Sequence, residues 1–207
     1  MATPYPNPRL CVCVVGSGGV GKSSMTIRFL EDRFPEYYDP TVEEKYVTEI
    51  SHSGKVFDIE IIDTAGQEEF FKYRDSSLAE GDAYLALYSI NSLSSWLELK
   101  ELRKKIEQEK EHPDEIPMVV CGNKKDLDEY REVPVDEVIE YCSKIGSPFM
   151  ETSAKTGLCV RDSFHAVMEQ VKLLTPHLLR NKYGTEVAET KVSQTRSGRT
   201  KPDCSIS

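Results

Sequence analysis

Eight consecutive residues constrain this chain more than any others: Gly16-Ser17-Gly18-Gly19-Val20-Gly21-Lys22-Ser23. They follow a continuous apolar run, Leu10 to Val15, and lead into a helix-like stretch, Ser24 to Asp32. The order is strand, glycine-rich turn, helix, with the G-x-x-x-x-G-K-S spacing of a P-loop. Glycines let the backbone fold closely around a phosphate with its N–H groups turned inward. The start of the next helix adds unpaired N–H groups and partial positive charge. Lys22 can reach the outer phosphates, and the Ser23 hydroxyl can ligate Mg²⁺. The motif points to a nucleoside triphosphate and leaves its base open.

At 207 residues the chain is long enough for one sizeable domain and a tail. Its net charge of −9 argues against nucleic acid as the main partner. The six cysteines do not form the framework of a small disulfide scaffold, and none has metal-ligand spacing with a histidine. The N-terminus carries no signal-like apolar stretch, so a reducing, intracellular compartment is expected.

Prolines 4, 6 and 8 mark residues 1–9 as a flexible leader. Apolar runs predict strands at Leu10 to Val15, Lys45 to Ile50, Lys55 to Ile62, Ala83 to Ile90, Ile116 to Gly122 and Phe149 to Glu151. The second and third are joined by Ser51-His52-Ser53-Gly54, a hairpin signal. Helical spacing marks Pro134 to Lys144, and Val160 to Leu174 as the last helix, which Pro176 stops or kinks. Another helix begins near Ser92 and Ser95, with capping-box spacing between Ser95 and Glu98. Leu93, Trp96, Leu97, Leu102 and Ile106 make its expected apolar stripe. Alternating strands and helices predict a doubly wound α/β fold: a mostly parallel six-stranded sheet, one antiparallel edge strand, and helices on both faces. The domain is expected over 10–180, and ligands bind at the carboxyl ends of such strands.

Three further motifs each follow a predicted strand. Asp63 stands where a P-loop enzyme holds its metal, and Gly66, three residues on, could offer an N–H to the terminal phosphate. Asn123-Lys124-Lys125-Asp126 follows the fifth strand. A carboxylate at Asp126 accepting two N–H donors from one purine edge would select guanine, because adenine presents a lone pair there. Ser153-Ala154-Lys155 could bring a backbone N–H to the guanine carbonyl. Taken singly, these are also ordinary turns and caps.

Together the motifs GSGGVGKS, YDPT, DTAGQE, NKKD and ETSAK, in that order, make the chain resemble a small GTPase of the Ras family. The resemblance implies a G domain that binds GTP or GDP with Mg²⁺. It implies phosphate contacts from Gly16 through Ser24, with Thr41 and Gly66. Base contacts fall to Phe34, Asn123, Lys124, Asp126, Ser153, Ala154 and Lys155. The metal would be held by Ser23, Thr41 and, through water, Asp63. Gln67 matches the residue that orients the attacking water, beside Lys22 and Gly18. Tyr38-Asp39-Pro40-Thr41 resembles switch I, and Thr64 to about Tyr73 resembles switch II. The effector region would span Tyr38, Asp39, Pro40, Thr41, Val42, Glu43, Glu44, Lys45 and Tyr46; its second half departs from the usual Ile-Glu-Asp-Ser-Tyr. Intact Gln67 and Gly18 favour an active GTPase over a non-hydrolysing scaffold, and the NKKD motif disfavours a P-loop kinase. With no arginine between Phe34 and Thr41, hydrolysis is expected to be slow until a GTPase-activating protein supplies one. Exchange factors and effectors complete the implied partners of a monomeric G domain.

Residues 181–207 read as a disordered tail. They end Cys204-Ser205-Ile206-Ser207, a C-a-a-X pattern that favours farnesyl on Cys204. Lys191, Arg196, Arg199 and Lys201 are the expected second signal for an anionic membrane. The expected location is the cytoplasmic face of the plasma membrane, with some cytosolic or endomembrane pool.

Overall fold

The computed structural model describes residues 9–35, 43–64 and 78–183. Strand β1, Leu10–Val15, is buried along its whole length. Its side chains alternate between two cores, as the pleat requires. Leu10, Val12 and Val14 join one cluster, with Met25, Phe29, Phe164 and Val167. Cys11, Cys13 and Val15 join the other, with Trp96, Leu99, Ile106 and Val138. An apolar run without polar interruption is what a strand covered on both faces needs.

The other strands are β2 (Glu43–His52), β3 (Lys55–Thr64), β4 (Ala83–Ser89), β5 (Met118–Asn123) and β6 (Phe149–Glu151). They form one six-stranded sheet in the order β2-β3-β1-β4-β5-β6. All neighbours are parallel except β2 and β3. The expected mixed sheet with an antiparallel edge strand is therefore present. The β2–β3 hairpin closes between His52 and Lys55 through Ser53 at φ 50° and Gly54 at φ 75°. Positive φ at both turn residues matches the right-handed twist of the flanking strands.

Helices α1 (Lys22–Glu31), α4 (Val160–Leu174) and α5 (Pro176–Tyr183) cover one face; α2 (Leu93–Glu109) and α3 (Val135–Ile145) cover the other. Phe29 of α1 stacks on Phe164 of α4 with ring centroids 4.0 Å apart. Burying each such ring stabilises the fold by roughly 1.5–3 kcal/mol. On the opposite face the Trp96 indole N–H donates to Glu137 at 2.7 Å, joining α2 to α3.

Three local expectations need correction. The N-cap of α2 is Ser92, whose hydroxyl accepts from the Ser95 N–H at 3.3 Å. Ser95 is inside the helix and buried, its own hydroxyl donating to the Ser92 carbonyl at 2.7 Å, so the Ser95–Glu98 capping box does not form. The buried stripe accordingly runs through Trp96, Leu99, Leu102, Arg103 and Ile106, while Leu93 and Leu97 face outward. Second, the helix Val160–Leu174 stops before Pro176 as expected, but it is not the last one: Pro176 begins α5. A proline lacks only an N–H that the first turn leaves unused. Leu179 of that helix is buried in the core, and α5 continues past position 180 to Tyr183. Third, the strand expected over Lys55 to Ile62 runs two residues further, to Thr64. The Thr64 hydroxyl donates to the Val14 carbonyl at 2.9 Å.

Candidate functional site

A cavity of about 400 Å³ opens at the carboxyl ends of the strands. Its walls come from separate segments: the loop after β1 and the first turn of α1, Phe34, Thr64 at the end of β3, Asn123, Lys124, Asp126 and Leu127, and Ala154 with Lys155. Four of the five motifs thus meet at one edge, as the strand–helix alternation predicts.

The phosphate-loop glycines are needed by packing as well as by any ligand. Gly16 has φ 149°, and a Cβ there would stand 2.2 Å from the Leu87 carbonyl oxygen of β4. Gly21, the N-cap of α1, has φ 97°, and a Cβ there would meet Asn123 Nδ2 at 2.5 Å. Lys22 is buried, and its ammonium donates to the carbonyls of Gly16 and Ser17 at 3.0 and 2.9 Å. No side chain caps α1, so its first-turn N–H groups are available to an anion. Gly18, Gly19, Gly21, Lys22, Ser23 and Ser24 line the cavity; Gly16, Ser17 and Val20 lie behind it.

Asp63 is fully buried at the end of β3. Neither carboxylate oxygen completes a hydrogen bond among the described residues. Burial pushes its carboxyl up to about 6, against a nearby Ser23 hydroxyl and the Lys22 ammonium, which hold it down. A buried carboxylate left short of hydrogen bonds fits a divalent cation, and the adjacent Ser23 hydroxyl adds a second hard oxygen.

The base side is built around Asn123. Its amide N–H donates to the Val20 carbonyl at 2.8 Å, and its Oδ1 accepts from the Ala154 N–H at 3.2 Å and the Thr152 hydroxyl at 3.3 Å. Lys124 follows in a left-handed conformation, φ 67°, and burial lowers its ammonium pKa. Asp126 is exposed, and its Oδ1 accepts from the Ser153 hydroxyl at 2.5 Å. Ser153 itself is buried, and its N–H goes to the Leu158 carbonyl at 3.1 Å. Of the expected Ser153–Lys155 donors, Lys155 keeps the N–H with no partner among the described residues. Phe34 is 42% exposed at the rim.

Glu43, Glu44, Lys45 and Tyr46 lie on the outer strand β2, with Lys45 paired to Glu80 at 2.9 Å. The remaining site expectations, Tyr38 to Val42, Gly66, Gln67 and Cys204, fall outside the described residues. Sequence reasoning missed Thr64 and Leu127, which line the cavity, and Arg28, whose guanidinium reaches Ala154 and Lys155. It also missed Glu151 of β6, which pairs with Lys125 at 2.9 Å and Arg131 at 2.6 Å and braces the 125–131 stretch. No local pattern announces contacts of that range.

Residues 11–173 match the Ras family model. The chain belongs to the Ras family. Ras-related protein Ral-B of Mus musculus is 38% identical over 182 residues, 88% of each chain. Ras-like protein rasS of Dictyostelium discoideum is 42% identical over 159 residues, 77% of this chain and 81% of its own. Ras-like protein 1 of Saccharomyces cerevisiae is 38% identical over 161 residues, 78% of this chain and 52% of its own. As a Ras-family protein, the chain is a small GTPase: a GTP-binding switch with GTPase activity.

Proposed function

We propose that this Ras-family chain holds GTP or GDP with Mg²⁺ in the cavity at the strand ends. Its triphosphate would lie along Gly16–Ser24 and its guanine between Phe34, Lys124 and Asp126. The observation that supports this best is the meeting of Lys22, Ser23, Phe34, Asn123, Asp126 and Lys155 around one cavity. Ser23, Thr41 and, through water, Asp63 would hold the Mg²⁺ ion, which neutralises charge on the β- and γ-phosphates. Lys22 stabilises the outer phosphates, Gln67 orients the attacking water, and Gly18 leaves room for an arginine from another protein. Intrinsic hydrolysis is slow, and a GTPase-activating protein raises it by about 10³–10⁵-fold, the range established for small GTPases.

Thr41 and Gly66 respond to the γ-phosphate and order the two switch segments; hydrolysis releases them. Effectors read residues 38–46 in the GTP state, and exchange factors reset the switch. A prenyl group on Cys204, helped by the basic residues of the tail, attaches the protein to the cytoplasmic face of the plasma membrane. Competition against bound fluorescent GDP, with and without a metal chelator, tests the nucleotide reading. GTP should displace the probe, ATP should not, and chelation should speed release. Equal competition by ATP would overturn the base assignment.

A further inference from the structure

Each of the three guanidinium nitrogens of Arg28 donates to a backbone carbonyl, and Nη1 also lies 3.7 Å from the Asp32 carboxylate. Nε donates to Ala154 at 2.8 Å, Nη2 to Lys155 at 2.7 Å and Nη1 to Asp32 at 2.8 Å. The side chain is only 15% exposed. Its partners on one side lie 126 and 127 residues away in sequence, in the loop between β6 and α4. On the other side they lie in the turn that ends α1, where the Asp32 N–H returns to the Arg28 carbonyl at 3.1 Å. That turn leads directly to Phe34. One cation in the last turn of α1 therefore fastens two segments that wall the cavity.

The chemistry needs arginine. Two consecutive carbonyls are met by two parallel donors of one planar group, a geometry the point charge of lysine cannot reproduce. Hydrogen bonds from an ionised donor are about twice as strong as neutral ones. The loop also lies on the arginine stem: Gly157, at φ 84°, would bring a Cβ to 3.9 Å from Arg28 Cδ.

The contact also aims a donor. In a trans peptide the carbonyl of one residue and the N–H of the next point in opposite directions. Holding the Ala154 carbonyl against Arg28 turns the Lys155 N–H to the other side. The Ala154 N–H is already given to Asn123 at 3.2 Å.

We propose that Arg28 is a positioning residue for the nucleotide: it holds the Ala154–Lys155 loop so that the Lys155 N–H meets the base carbonyl, and so sets how long the nucleotide stays bound. This rests on the guanine-nucleotide reading above. Arg28 itself touches no ligand.

The test is release of fluorescent GDP from the full chain, compared among wild type, Arg28→Gln and Arg28→Lys. Each is repeated with the 6-thio analogue, whose sulfur is a weaker acceptor than the guanine oxygen. Arg28→Gln should speed GDP release by about tenfold, the effect of weakening one well-placed hydrogen bond to the base. Arg28→Lys should fall between that variant and wild type, and carries the test alone if Arg28→Gln does not fold. The acceleration should be smaller for the 6-thio analogue, because the bond being aimed is already weak. A purely structural tie would speed both nucleotides equally, and that result overturns the proposal. So does a wild-type rate in the variants. A wild-type chain that retains no GDP overturns the nucleotide reading and this inference together.

Discussion

The side chain of Asn123, at the end of β5, donates to the carbonyl of Val20 in the phosphate loop at 2.8 Å. Because its oxygen accepts from Ala154, one buried amide connects phosphate loop, β5 and base loop. Asn123→Ala leaves a carbonyl and an N–H without partners, each costing about 1–3 kcal/mol. The variant should lose roughly 2–6 kcal/mol of stability in urea unfolding and release GDP faster.

Asp126 is held by the Ser153 hydroxyl at the mouth of the cavity. Asp126→Ala removes a charged acceptor for the base, a loss of about 1.5–3 kcal/mol. Calorimetry should show GDP affinity falling by about 10- to 100-fold, with binding of ADP unchanged.

The Asp63 carboxyl is raised from 3.8 to about 6 by burial. Between those values the native metal-free protein holds a proton that the unfolded chain has lost. Its stability should therefore fall as pH rises from 3.8 to about 6 and then level off. Asp63→Asn should remove that slope and raise the melting temperature of the metal-free protein at pH 7. The same substitution should weaken Mg²⁺ binding in the GDP complex, read by titration of the metal.

Gln67→Leu keeps the apolar bulk and removes the groups that orient water. Single-turnover GTP hydrolysis should slow by about 10²-fold or more, the usual size of such a contribution. GDP release should stay at the wild-type rate, since the base contacts are intact.

Cys204→Ser removes the thiol that a prenyl group would need. Cell fractionation should move the protein wholly to the soluble fraction. The wild type should remain partly membrane-bound and be sensitive to ionic strength, because one chain with a few basic residues anchors weakly. Unaltered membrane attachment of the variant would remove Cys204 from the account.

Where structure depends on neighbours in sequence, the sequence announces it. Leu10–Val15 and Phe149–Glu151 are visible as apolar runs, and Val160–Leu174 as a helical stripe. The P-loop and the Asn123–Asp126 motif carry their chemistry at fixed short spacings. What stayed hidden depends on distant partners. Arg28 looks like a solvated helix charge until the loop 126 residues later closes over it. Arg103 looks like one too, yet it is buried on the inner face of α2. Pro176 shows a different limit: α4 stops before it as the pattern predicts, but only the burial of Leu179 accounts for a further helix starting there. The cap of α2 fell to Ser92 because Ser95 satisfies its hydroxyl inside the first turn.

The hairpin turn at Ser53 and Gly54 has a consequence for how this protein can change over generations. A two-residue turn has no slack, so it sets the pairing of β2 from Glu43↔Thr64 to His52↔Lys55. One inserted or deleted residue would slip that pairing and reverse the facing of every side chain on the outer strand. Ile50 and Tyr46 would trade places with Glu49 and Lys45, turning charges toward the core. Lineages can therefore vary the outward letters of β2 one at a time and so acquire new partners. A change of length by an odd number of residues would instead turn the whole strand over.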